Sequence, residues 1–434
     1  MGAVLLAASF LAAWPSPASA YSILAHEAII DAAWNTGLRE LLLKRFPDST
    51  AEQLKDAHAY AYGGAIIQDL GYYPHGSHFF SDLTHYCRSG DFILALIRDS
   101  KDLNGYAFAL GALSHWAADN DGHMIGTNPS VPILYPKLRR KYGNIVTYEQ
   151  DPLAHVKTEF GFDVLEVAKQ RYAPDSYHDF IGFEVDAPLL EQAFQETYGL
   201  DLKVALPDEE KALGSYRRAV SKLIPKATRI AWTLKKDDIQ KDQPSMTKRK
   251  YLYNLSRASY EKNWGKDYQK PTIFERFIAL LYRILPKFGP LRVLQLRTPT
   301  PVTEHKFEDS FNHALDRYKA GLRQIRDGQP PDIPNDNFDT GKPDPPGVYF
   351  MNDDVHAELV EALAKTNFKG MTPALRAELM QFYSDPNAPY ATKKNPKEWA
   401  KLQAALHMLK SAPATPVEAQ TLPAYGGVPS APLE

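Results

Sequence analysis

The chain reads as an all-α protein. Its apolar residues fall in helical periods, and helix-start signals recur along it. Two His-x-x-x-carboxylate pairs also sit at the one-turn spacing of a helix. Only the stretch 289–298 reads as a short strand. The 434 residues, 44% of them apolar, suffice for one large domain or for one domain plus an appendage. A net charge of −2 gives no global case for nucleic acid.

Residues 1–20 form an apolar run that ends in Ala18-Ser19-Ala20, an A-x-A cleavage pattern. They read as a signal peptide and imply a secreted or periplasmic protein. The run is short and carries Pro15 and Pro17, so it does not read as a membrane span. Cleavage after Ala20 frees the amine of Tyr21. An amine and its own carbonyl oxygen can close a five-membered chelate on a metal. His26 follows at the start of a helix, where it reads either as an exposed histidine or as a ligand.

Ser49 and Glu52 form a capping-box pattern before a helical run that ends at Gly71. Asp69 falls in the last turn of that run, where the helix dipole disfavours a carboxylate. It calls for a cation, either a metal or a surface Lys or Arg. Gly63 and Gly64 permit close helix packing. Among the next histidines, His85 lies in an ordered aromatic context, while His75 and His78 lie in a Pro/Gly/Ser turn.

The stretch 110–123 organises the chain. His115 and Asp119 project from one helix face, and His123 follows where Asn120 and Gly122 are expected to end the helix. His155 and Glu159 repeat the spacing. Either pair alone reads as an ordinary exposed helix contact. Two pairs in apolar settings point to zinc or a related first-row metal. The single cysteine, Cys87, excludes an intramolecular disulfide, so rigidity must come from elsewhere.

As a set, these residues resemble the zinc-dependent phospholipase C family. Its fold is shared with the single-strand-specific fungal nucleases and with the amino-terminal domain of GPI-specific phospholipase D. The resemblance covers roughly residues 21–175 and implies an all-helical domain with three zinc ions. It places the first on Asp69, His85, His115 and Asp119, and the second on His123, His155 and Glu159. The third falls to the Tyr21 amine and carbonyl, His26 and Asp119, so that Asp119 bridges two metals. Asp69 and Glu159 are assigned to catalysis, Asp69 as a proton acceptor. The family's usual amino-terminal residue is Trp, but backbone atoms make the chelate. The missing disulfides count against a close nuclease relationship.

The expected reaction is hydrolysis of a phospholipid to diacylglycerol and a phosphorylated head group. Clustered zinc ions neutralise charge growing on phosphorus and bring the pKa of bound water toward ~7. A nuclease on the same metal core is the second reading. A zinc-stabilised protein that docks to a membrane or a partner is the third.

Beyond the catalytic segment 21–200 the sequence divides into a basic helical extension, 201–326, and a Pro-rich linker with short helices and a disordered tail, 327–434. Residues 246–270 mix basic and aromatic side chains, as a nucleic-acid surface or an ordinary solvated helix does. Thr272 and Glu275 open a helix with an apolar stripe through Ile273, Phe277, Leu280, Leu281 and Ile284. It reads as a core helix or, with the basic residues up to 297, as a peripheral membrane contact. Residues 327–348 read as the linker proper. The sequence does not identify an oligomeric state.

Overall fold

The computed structural model describes residues 23–73, 75–168, 183–218 and 296–414. The stretch 1–20 read as a leader, Tyr21, the basic-aromatic stretch, the stretch 272–286 read as a helix, and the residues from 415 lie outside the described residues. Among the described residues there are helices and no strand, apart from one isolated bridge between Asn337 and Lys342. The all-α expectation is met. Residues 296–298 of the stretch read as a strand have no regular structure. None of the described helices is long and apolar enough to cross a membrane.

Helix α1 (Ile23–Ala33) is followed by a π turn, and α2 spans Ala51–Gly64. The capping box of α2 falls one residue later than the sequence suggests. The Thr50 hydroxyl accepts from the Gln53 amide at 3.2 Å, and the Gln53 side chain accepts from the Thr50 amide at 2.8 Å. Ser49 instead donates its hydroxyl to the Phe46 carbonyl. The helix also stops earlier than expected, at Gly64, and a separate 3-10 turn (Ile67–Tyr72) carries Asp69 in its first turn.

Glycine explains the break. A Cβ on Gly64 would lie 1.9 Å from the Phe108 carbonyl oxygen, and one on Gly111 would lie 2.2 Å from that of Ala61. Only glycine lets these two backbones come so close, at some cost in helix propensity. The partner of α2 is α5 (Leu103–Asp121), capped by Asp102 and buried on nearly all sides, as expected of a central helix.

Helix α5 does not end at Asn120. It passes through a second π turn (Gly122–Thr127) into α6 (Asn128–Leu134). Around it lie α3 (His78–Tyr86), α4 (Ser89–Asp99), α7 (Pro152–Ala168) and α8 (Ala187–Tyr198). Helix α9 (Pro301–Arg326) packs along α5 and its π turn, and its buried residues Phe307, Ser310, Ala314, Tyr318, Leu322 and Ile325 are spaced three or four apart. Arg317 of α9 grips Asp121 with two hydrogen bonds of 2.8 and 2.9 Å. Helix α10 (Phe350–Lys365) packs on α3 and on α12 (Pro396–Ser411), with α11 (Pro373–Phe382) beside them. One buried apolar cluster draws on every labelled helix except α6, whose Val131 packs in a smaller cluster with Val146 and Ala154.

Candidate metal centre

The close approach of α2 and α5 sets the first cluster. It lets the His115 Nδ1–H reach the Ala65 carbonyl at 2.9 Å and leaves His115 Nε2 pointing inward. On α3, His85 donates from Nδ1 to the Ser81 carbonyl one turn back, at 2.7 Å. Those bonds place the Nδ1 proton in both rings, so in the neutral form each Nε2 carries the lone pair. Yet these atoms face one another at 3.4 Å. The Asp119 carboxylate stands between three imidazoles, at 3.1 Å from His115, 3.4 Å from His85 and 3.4 Å from His26. His26, from α1, stacks on the His115 ring at 4.4 Å. Asp69 closes the group, 3.3 Å from His85.

All five side chains are buried. Even so, none of the four oxygens of Asp69 and Asp119 receives a hydrogen bond. Carboxylates left so at full burial cost several kcal/mol or more without a compensating charge. Burial alone would raise the Asp119 pKa, but His115, His85 and His26 outweigh it and hold it well below the carboxylate range. Burial likewise works against a charged His85, but Asp119 and Asp69 push it up to about 10. His26 goes the other way, down to about 3, through burial and then the neighbouring His115. The cluster is a place for positive charge.

The second cluster forms where the π turn and α7 meet. His123, eight residues after His115, serves this group rather than the first. The amide of Asn128 fixes the protons here. Its Nδ2 donates to the Asp339 carbonyl at 2.7 Å, so its Oδ1 faces His155 Nε2, also at 2.7 Å. His155 must therefore carry its proton on Nε2, which leaves the Nδ1 lone pair 2.7 Å from Glu159 Oε1. His123 donates from Nδ1 to Asp339 at 2.5 Å, so its Nε2 is the free nitrogen, 4.0 Å from the same Glu159 oxygen. His123 Nε2, His155 Nδ1 and Glu159 Oε1 all lack a hydrogen bond in the buried interior. Burial pushes Glu159 well above the carboxylate range and lowers His155 to about 4.

Asp339 is the residue that the sequence did not offer. It lies in the stretch that composition reads as a linker. Here that stretch is a strap laid across both clusters. Both Asp339 oxygens accept hydrogen bonds, Oδ1 from His123 and Oδ2 from the Tyr148 amide and the Tyr349 hydroxyl at 2.8 Å each, and Asp339 also lies close enough to His123 and His155 to share an ion with them. Burial would raise its pKa, but His123 outweighs this and holds it at about 2. Its neighbour Phe338 packs its ring on His85 and His115, and its amide donates to the His85 carbonyl. Asp339 thus orients a ligand histidine from behind, a partner that metal-binding imidazoles commonly have. No periodicity or motif marks it among the aspartates around it.

Of the nine positions proposed from the sequence, His26, Asp69, His85, His115 and Asp119 meet in the first cluster, and His123, His155 and Glu159 in the second. Tyr21 lies outside the described residues. His75 and His78 are exposed. His58 pairs with Asp31 at 3.0 Å and stacks on Trp34, away from both groups.

The orphaned oxygens and inward lone pairs fit divalent cations held by imidazole and carboxylate, a donor set suited to zinc. The family described as zinc dependent phospholipase C matches residues 25–206, which include all eight described ligand candidates but not Asp339. Neither the curated proteins nor the solved structures contain a match. Residues 25–206 of this chain are thus similar to the zinc-dependent phospholipase C family, and the described elements among them are helices.

Proposed function

We propose that the chain is an exported zinc phosphodiesterase that cleaves a phospholipid into diacylglycerol and a phosphorylated head group. One observation carries this: two buried groups of imidazoles and carboxylates in which both oxygens of Asp69 and of Asp119, His123 Nε2, His155 Nδ1 and Glu159 Oε1 have no hydrogen-bond partner. Asp69, His85, His115 and Asp119 would hold one zinc, and His123, His155 and Glu159 a second. His26 and Asp119, with the amine and carbonyl of a processed Tyr21, would hold a third. Zinc so placed supplies positive charge for the phosphoryl oxygens and acidifies water.

The chain's own residues do the rest. The carbonyls of Ser81 and Ala65 fix His85 and His115 in one tautomer and one orientation. Asp339 does the same for His123. Asp119 touches three imidazoles at once, so it couples the members of the first cluster. Asp69 presents two oxygens with no hydrogen bond and is the proton acceptor best placed within the group. Phe338 and the strap exclude water from the flank of His85 and His115.

The test compares substrates. Processed protein, stripped by chelator and reloaded with zinc, should hydrolyse a choline phospholipid and leave single-stranded DNA intact. DNA cleavage without lipid turnover would replace the phospholipase reading with the nuclease one. Zinc binding with neither activity would favour a structural role.

A further inference from the structure

A third group of ligand-type side chains lies outside both clusters. Cys87 at the end of α3, His356 of α10 and Glu378 of α11 offer a sulfur, an imidazole nitrogen and a carboxylate oxygen, all within 4.8 Å of one another. From this geometry we infer a separate thiolate-containing metal site that takes zinc or a similar thiophilic divalent ion.

The His356 ring shows why. Its Nδ1 lies 2.8 Å from the Asn352 carbonyl, one turn back in α10. Its Nε2 lies 2.8 Å from Glu378 Oε1. A carbonyl can only accept, so Nδ1 carries a proton, and Nε2 meets the carboxylate oxygen as the N–H of a charged ring that becomes a ligand lone pair once its proton leaves. His85 in the first cluster has the same tether, Nδ1 to the carbonyl four residues back, with Nε2 facing carboxylates. Phe382 stacks on the His356 ring at 3.8 Å and 5°, which fixes its plane. The other Glu378 oxygen is buried and has no hydrogen-bond partner.

A divalent cation can take the place of that Nε2 proton and also meet the unpartnered Glu378 oxygen. One divalent ion with a thiolate, a carboxylate and a neutral imidazole makes a group of zero net charge, which suits burial. Binding displaces the thiol proton of Cys87, and any second proton held on His356, to solvent. Three protein ligands leave one tetrahedral position for water. A nucleophilic Cys-His-Glu relay fits less well, because in such a relay the base hands one nitrogen to the nucleophile and the other to the carboxylate. Here a backbone carbonyl takes Nδ1. His356 and Glu378 lie beyond the matched segment 25–206. The ion would therefore pin α10 and α11 to the helix that carries His85, two residues before Cys87.

The site does not depend on the phosphodiesterase reading, and one spectrum separates the two. Cys87 is the only cysteine in the chain, and the two clusters described above offer only nitrogen and oxygen. Full-length protein, stripped by chelator and loaded with Co(II), should show a thiolate-to-cobalt charge-transfer band in the near ultraviolet. The band should vanish in Cys87→Ser and persist in Asp119→Asn. Wild-type protein with cobalt ligand-field bands but no sulfur band would overturn the third site and leave the clusters standing. Protein that takes up no cobalt would overturn both.

Discussion

Asp119 lies within 3.4 Å of His26, His85 and His115 at once. In Asp119→Asn the shape stays and the charge goes. Turnover should fall by more than the ~10–100-fold typical of losing an outer partner of a metal ligand. Zinc content should fall with it, and zinc analysis beside a rate assay checks both. Asp339→Asn is the subtler case. The variant keeps acceptors for the Tyr148 amide and Tyr349 hydroxyl but loses the charge behind His123. We expect zinc affinity weakened by ~10–100-fold with helix content unchanged. Unchanged affinity by competition with a chromogenic chelator would show that Asp339 only packs. The pH response of stripped protein follows from His26. Its folded pKa of about 3 lies below the unfolded 6.5, so between those values only the unfolded chain takes up the proton. This contribution therefore lowers stability as pH falls through that window. The urea midpoint of His26→Gln should depend less steeply on pH there than that of stripped wild type, and equal slopes would contradict it.

Elements were legible in the sequence where periodicity and spacing speak, and illegible where tertiary packing decides. The His115/Asp119 and His155/Glu159 pairs mark their helices because one turn separates ligand from ligand. The break of α2 at Gly64 was hidden, since it depends on the carbonyl of Phe108 pressing where no Cβ stands. The π turn after Asp121 was hidden too. Gly122 reads as a helix stop, and only the packing of α9 against the turn shows that the chain stays helical. Asp339 gave no signal, because its role comes from a contact 216 residues away in the chain. Gly111→Ala tests the packing directly. Its methyl would meet the Ala61 carbonyl at 2.2 Å and push α2 from α5. A loss of about 1–3 kcal/mol in urea denaturation, the usual cost of overpacking, is expected. An unchanged midpoint would mean that the two helices part without strain.

At the scale of the molecule, helices after residue 206 share one core with the matched segment 25–206. Phe307, Ala314, Tyr318, Leu322 and Ile325 of α9 are buried, most of them large apolar side chains. Burial of such a side chain contributes about 1.5–3 kcal/mol, so together they rival a whole domain's stability of ~5–15 kcal/mol. A chain cut after residue 206 should therefore fail to unfold cooperatively in urea. A soluble, zinc-loaded fragment with a sharp transition would show that the family segment stands alone. The proposed activity rests on metal-dependent chemistry at the two buried clusters. Its most direct test is phospholipid hydrolysis by processed protein after chelation and again after zinc is restored. Hydrolysis should be lost with the metal and return with zinc. Full hydrolysis by metal-free protein would contradict this.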